Sequence, residues 1–242
     1  MHDSNIIFLH GWLFDRRIWQ GLDKLFYNKF NTYMHDFPGY GGNLLSDINS
    51  QEYCDNIFTN AKKNTIIVGY SYGGLLALNS FQSYQSNIDK LILINCNLDI
   101  KNKSNNTLNL NSIRDLQISL KSDKSKSLKR FIYECVKDSK HYKTEYSRLI
   151  KIFSDNSLPD TSVLLENLND LKAPIAINYA FDRQKDILLI NTEEDSFVSY
   201  KKVHTINNDI IKEERIPDLG HIPFMFGNDE IYTLINKFIG VR

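Results

Sequence analysis

The chain has 242 residues, 42% hydrophobic and 24% charged, enough for one large globular domain or one domain carrying an insertion. Its 29 Lys/Arg balance 29 Asp/Glu and no nucleic-acid motif is present, which argues against a nucleic-acid partner. No apolar run approaches a membrane span, and the start, MHDSNIIFLHGW, has an acidic residue, no basic n-region and an apolar run too short for a signal peptide.

Ile6–Leu9 reads instead as a first strand, ending at His10-Gly11. Thr32–His35 is a second, running into HDFPGYGG, a turn punctuated by Pro38, Gly39, Gly41 and Gly42. Gln51–Lys62 has helical spacing, with Ser50 as its N-cap. Thr65–Val68 is a strand and Leu75–Tyr84 a helix; Lys90–Ile94 and Ile187–Asn191 are further strands. Glu213–Ile216 is the last strand and Glu230–Ile239 a closing helix. Strands apolar on both faces and alternating with helices predict an α/β fold, with a mostly parallel central sheet flanked by helices.

The middle of the chain breaks that rhythm. KNKSNNTLNLNS (101–112) is polar and loop-like, and 113–170 is helical in pattern with no β run. Leu128, Phe131, Ile132, Cys135 and Val136 form one apolar helix stripe, with Lys126, Arg130 and Lys137 on the opposite side. The expectation is a single domain over 1–242 with a helical cap inserted at about 101–172. Residues 101–151 hold 13 Lys/Arg against 5 Asp/Glu, a balance of +8, leaving −8 on the rest of the chain. Such asymmetry points the cap at something acidic. The three cysteines, Cys54, Cys96 and Cys135, have no metal or disulfide spacing, which fits a reducing, cytoplasmic setting.

The chemistry centres on G-Y-S-Y-G, Gly69 to Gly73, a G-x-S-x-G between a predicted strand and a predicted helix. That context makes a nucleophile elbow: a sharp turn exposes the Ser71 hydroxyl, and small residues on either side clear the crossing. A serine needs a base, and the base an orienting acid; behind such an elbow the chain order is Ser, acid, His. His2, His10 and His35 precede Ser71, His141 lies in the cap, and His204 sits in a polar helix-like segment. His221, in IPDLGHIPF after the last strand, is placed to reach back over the sheet. Glu193, Glu194 and Asp195 follow the strand 187–191. Asp195 is our choice as the acid, Glu193 and Glu194 remaining open, with Asp209 and Asp218 weaker. The two oxyanion amides should come from Tyr72, after the nucleophile, and from Trp12 in LHGW, where His10-Gly11 shape the loop.

In this order H-G-W (10–12), D-x-P-G-x-G (36–41), G-Y-S-Y-G-G (69–74), the acid loop and G-H (220–221) resemble the α/β-hydrolase superfamily over nearly the whole core. FLHGWLFDRRIW, LKRFI (128–132) and GHIPFM are similar to segments of the pimeloyl-[acyl-carrier-protein] methyl ester esterases of biotin synthesis. The resemblance implies a serine carboxylesterase with Trp12, Tyr72 and Phe131 at the acyl chain. It also implies an acidic acyl carrier protein as partner, gripped by Lys126 and Arg130 in the cap and by Arg148 as a third basic residue. No metal or organic cofactor is implied, and a monomer is expected. Two departures stand out: Tyr72 replaces a usual leucine and changes the pocket wall, and Lys126 replaces an arginine, keeping charge without a bidentate fork. A menaquinone-pathway lyase of the same fold usually has arginine after the elbow G-G, where this chain has Leu75. A non-catalytic receptor built on the fold often loses a triad member; this chain keeps all three.

Overall fold

The computed structural model describes residues 2–96, 110–153, 158–172, 187–198 and 211–240. Among these residues six strands form one sheet: β1 (Asn5–Leu9), β2 (Asn31–His35), β3 (Thr65–Tyr70), β4 (Ile88–Ile94), β5 (Ile187–Thr192) and β6 (Ile211–Ile216). The order is β2-β1-β3-β4-β5-β6 and every neighbouring pair is parallel. β1, β3 and β5 are buried along their whole length, as strands covered on both faces must be. The edge strand β6 reads IKEERI and buries only its two isoleucines. Its charges pair along the strand, Lys212 with Glu214 and Arg215 with Glu213, each at 3.2 Å, which discourages edge-to-edge association.

Among the described residues the helices outside the segment between β4 and β5 are α1 (Leu22–Phe26), α2 (Ser50–Thr59), α3 (Tyr72–Tyr84) and α8 (Asn228–Ile239). α2 lies on α3, which lies against β3 and β4, while α1 lies on α8, which lies against β5. α1 and the 3-10 turn Arg16–Trp19 before it are too short to leave a periodic signal. The cap of α2 differs from expectation. Asn49 closes a capping box with Glu52: its Oδ1 accepts from the Glu52 N–H at 2.9 Å and its own N–H donates to the Glu52 carboxylate at 3.1 Å. Ser50 is instead buried, and its hydroxyl accepts from Asn167 Nδ2 at 3.2 Å. α3 also begins three residues earlier than its apolar pattern, because its first turn is built from Tyr72-Gly73-Gly74.

Between β4 and β5 the chain forms α4 (Leu110–Ser122), α5 (Lys124–Val136), α6 (Tyr142–Ile152) and α7 (Thr161–Asp170), which pack on one another. In α5 the stripe Leu128, Ile132, Cys135 and Val136 is buried, while Lys126 and Arg130 are exposed. Residues 101–109 and 154–157 of the expected cap lie outside the described residues, as do His204 and Asp209.

Candidate active site

One residue separates the end of β3 from the start of α3, and that residue is Ser71. Its φ is +48°, a left-handed conformation that costs a residue with a Cβ about 1 kcal/mol. Its N–H still donates to Ile94 O at 2.9 Å, so the ladder runs to the turn itself. The crossing is tight. A Cβ on Gly69 would sit 2.5 Å from Gly74 Cα, and one on Gly73 would sit 2.6 Å from the Leu9 carbonyl oxygen. The first turn of α3 therefore rests on the ends of β1 and β3, its N-terminal dipole aimed at the serine.

His221 Nε2 lies 3.0 Å from Ser71 Oγ, and its Nδ1 lies 2.7 Å from Asp195 Oδ2. The carboxylate's other oxygen accepts the backbone N–H groups of Phe197 at 2.7 Å and Val198 at 3.2 Å. With Asp195 able only to accept, Nδ1 donates to it and Nε2 is left facing the serine hydroxyl. The Asp195 side chain is 0% exposed and that of His221 5%. Glu193 and Glu194 are exposed on the turn, held there by backbone donation to Ile216 O and Leu219 O. Asp218 sits at the surface, 3.5 Å from Lys140. Of the other histidines, His2 is exposed, His35 contacts the Tyr53 hydroxyl, and His141 stacks on Phe226. His10 is fully buried: Nδ1 donates to Gly11 O at 2.9 Å and Nε2 accepts from Phe37 N at 3.1 Å. Burial pushes its pKa down, and this neutral ring pins the loop that carries Trp12.

Asn95, with φ +49° and 1% exposed, holds the loops together. Its side-chain amide donates to Thr192 Oγ1 and to His221 O, both at 2.9 Å, and its Oδ1 accepts from Thr192 N at 2.8 Å. Thr192 Oγ1 in turn donates to Gly220 O at 2.8 Å, and His221 N donates to Cys135 O, at the end of α5, at 2.8 Å. Sequence reasoning missed Asn95; its only trace is a lone asparagine closing an otherwise apolar strand.

The amides of Trp12 and Tyr72 donate to no described residue. Trp12 and Phe131, edge-on at 4.7 Å, line a narrow cavity of about 30 Å³ with Ser71 and His221. Leu75, Leu168 and Leu171 make its wall apolar. Tyr72, expected in that wall, is not there. Its hydroxyl donates to Asp170 Oδ2 at 2.6 Å and its ring lies against Phe37, because a buried phenol needs an acceptor. Phe197, which sequence reasoning also missed, stacks on Phe131 at 5.4 Å. The two rings separate this cavity from a larger one of about 260 Å³ between α4 and α5, with Arg130 on its lining. Lys126 stands one turn before Arg130. Arg148 is elsewhere, on α6, beside Arg17 and Lys24 at a third cavity of about 360 Å³. Among the described residues the three cysteines are free and buried, no side-chain cluster suits a metal ion, and no helix is long and apolar enough to cross a membrane.

A parallel sheet, a strained serine at a strand–helix crossing and a His–Asp pair on the loops beyond define a class, and a family profile agrees. Residues 6–232 match the alpha/beta hydrolase family, and the chain belongs to it. It is similar to the pimeloyl-[acyl-carrier protein] methyl ester esterase of Wigglesworthia glossinidia brevipalpis, 27% identical over 97% of this chain and 93% of that protein. The enzyme of the same name from Photorhabdus laumondii is 22% identical over 97% of this chain and 91% of its own length. Among solved structures, an esterase from Exiguobacterium antarcticum superposes with a TM-score of 0.79 at 16% identity, covering 98% of this chain and 92% of that one. The enol-lactonase of Burkholderia xenovorans superposes with a TM-score of 0.77 at 13% identity, covering 99% and 92%.

Proposed function

We propose that the protein is a carboxylic ester hydrolase and that its substrate is the methyl ester of pimeloyl-[acyl-carrier protein]. The observation that carries the hydrolase reading is the unbroken line from Ser71 Oγ through His221 to Asp195, ending on a carboxylate whose second oxygen is held by two amides. His221 Nε2 takes the hydroxyl proton as Ser71 Oγ attacks the ester carbonyl, and Asp195 stabilises the imidazolium that forms. The amides of Trp12 and Tyr72 receive the oxyanion. Collapse returns the proton to the leaving methoxide, releasing methanol. A water then gives its proton to His221 and attacks the acyl-enzyme carbonyl, and collapse frees the acid as His221 returns that proton to Ser71 Oγ.

The substrate rests on other support. The relatives of that name align along nearly the whole chain, and the cavity wall is apolar. The segment 101–151 carries the excess positive charge that an acidic carrier would meet. In this reading α4–α7 are the cap, Phe131 touches the acyl chain, and Lys126, Arg130 and Arg148 face the carrier. The test is labelling by a fluorophosphonate together with hydrolysis of the carrier-bound methyl ester. Ser71 should be the labelled residue, and Ser71→Ala should lose both signals. Asp195→Asn should lower kcat by about 10⁴, while Glu194→Gln should stay near wild type. Labelling at another residue would sink the triad. Growth of a biotin-requiring bacterium lacking its own esterase, restored by this chain, tests the substrate; failure to restore it, with ester hydrolysis intact, would overturn the substrate alone.

A further inference from the structure

We propose that Asp170 is a positioning residue for the oxyanion hole, acting through the Tyr72 hydroxyl, and that helix α7 holds both oxyanion amides. The inference rests on the ester-hydrolase reading above. The two amides come from different elements, the loop after β1 and the first residue of α3, and no hydrogen bond joins Trp12 to Tyr72 among the described residues. Both side chains run instead to α7. Trp12 Nε1 donates to the Leu164 carbonyl at 3.0 Å, and the Tyr72 hydroxyl donates to Asp170 Oδ2 at 2.6 Å. Between these two points Asn167 accepts from the Tyr40 hydroxyl at 2.8 Å and donates to Ser50 Oγ. Asn167 and Asp170 are three apart, so their side chains share one face of α7, and the Leu164 carbonyl lies one turn earlier on the same helix.

That face also reaches substrate. Leu168, and Leu171 just past the helix, line the cavity beside Ser71. One helix therefore touches the space for the acyl chain and fixes the residues whose amides meet the oxyanion. The Tyr72–Asp170 bond is the specific part. Tyr72 is 1% exposed, and burial and then the neighbouring carboxylate push its pKa well up, so it stays a neutral donor to a charged acceptor, the stronger kind of hydrogen bond. Without the hydroxyl, the ring would still fill its place but the start of α3 would no longer be tied to α7. An oxyanion donor acts only within a narrow distance range, so a small drift at the Tyr72 amide is felt in the transition state alone.

The experiment compares wild type with Tyr72→Phe, Asp170→Ala, Asp170→Asn and the double variant Tyr72→Phe/Asp170→Ala. The readouts are kcat and KM on p-nitrophenyl acetate and hexanoate, and the affinity of a trifluoromethyl ketone that adds to Ser71. Tyr72→Phe and Asp170→Ala should each lower kcat on the order of tenfold, with KM within about twofold of wild type. The ketone should weaken by the same factor as kcat. The double variant should be no worse than Tyr72→Phe, which already breaks the bond to Asp170 along with the contact of its hydroxyl with Ser50. Asp170→Asn, which keeps an acceptor at an exposed position, should lose less than Asp170→Ala. Unchanged kcat, a rise in KM alone, or additive losses would overturn the proposal. A wild-type chain inactive on every ester would overturn the hydrolase reading as well, whereas an active one indifferent to Tyr72→Phe overturns only the positioning role. If Tyr72→Phe fails to fold, Asp170→Ala against Asp170→Asn decides.

Discussion

Asn95 and Thr192 exchange two hydrogen bonds across the ends of β4 and β5, at 2.9 and 2.8 Å. The same asparagine holds the His221 carbonyl, so strand ends and base loop share one buried polar group. Asn95→Ala would leave the Thr192 N–H and the His221 carbonyl without that partner. The expected loss is about 2–4 kcal/mol of stability, from two buried groups left unsatisfied, with kcat falling further than KM rises. Urea unfolding and steady-state kinetics check both. An Asn95→Ala chain with wild-type stability and kcat would contradict the role.

The site was more legible in the sequence than its supports. Ser71, His221 and Asp195 sit at strand ends in a fixed order, and G-x-S-x-G between a strand and a helix carries its own geometry. The central strands β1, β3 and β5, and most of β4, were legible because they are apolar on both faces. Asn95, Phe197 and the Tyr72–Asp170 bond were not, since each depends on partners dozens of residues away, which no local period records. Tyr72 shows the limit well. Its amide follows from its place after the serine, but the direction of its ring was settled by a carboxylate at position 170. Ser50 is similar: a good capping residue was drawn into the interior by Asn167, and Asn49 took the cap.

Charge reversal should separate the basic residues into two groups. Lys126 and Arg130 are one turn apart on α5, whereas Arg148 lies at a different cavity with Arg17 and Lys24. Lys126→Glu/Arg130→Glu should raise KM for the carrier-bound ester by about tenfold at low salt and leave p-nitrophenyl acetate unaffected. The difference should shrink as ionic strength rises, because exposed charges are screened. Arg148→Glu should act independently of the pair. Equal losses on carrier-bound and small esters would point to damaged folding rather than docking.

Two buried groups set opposite pH limits on stability. Neither carboxyl oxygen of Glu145 has a hydrogen-bond partner among the described residues. Burial raises its pKa from 4.5, and the nearby Ser139 hydroxyl opposes the shift. The folded chain therefore keeps a proton that the unfolded chain releases, and stability falls as pH rises above 4.5 toward the raised value. His10 works in reverse. Its pKa is lowered from 6.5 by burial, so the unfolded chain takes a proton first and stability falls as pH drops below 6.5. Glu145→Gln, which carries no charge to bury, should raise Tm at pH 7. The gain should vanish by pH 4, and calorimetry at both pH values tests the pair.

The backbone of Ser71, at φ +48°, sets activity against durability. Glycine adopts that conformation without the Cβ clash, so Ser71→Gly should be more stable than wild type by about 1 kcal/mol while hydrolysing nothing. Selection for stability alone would remove the nucleophile. A chain that keeps serine at this turn accepts a weaker fold at the one position where its chemistry begins.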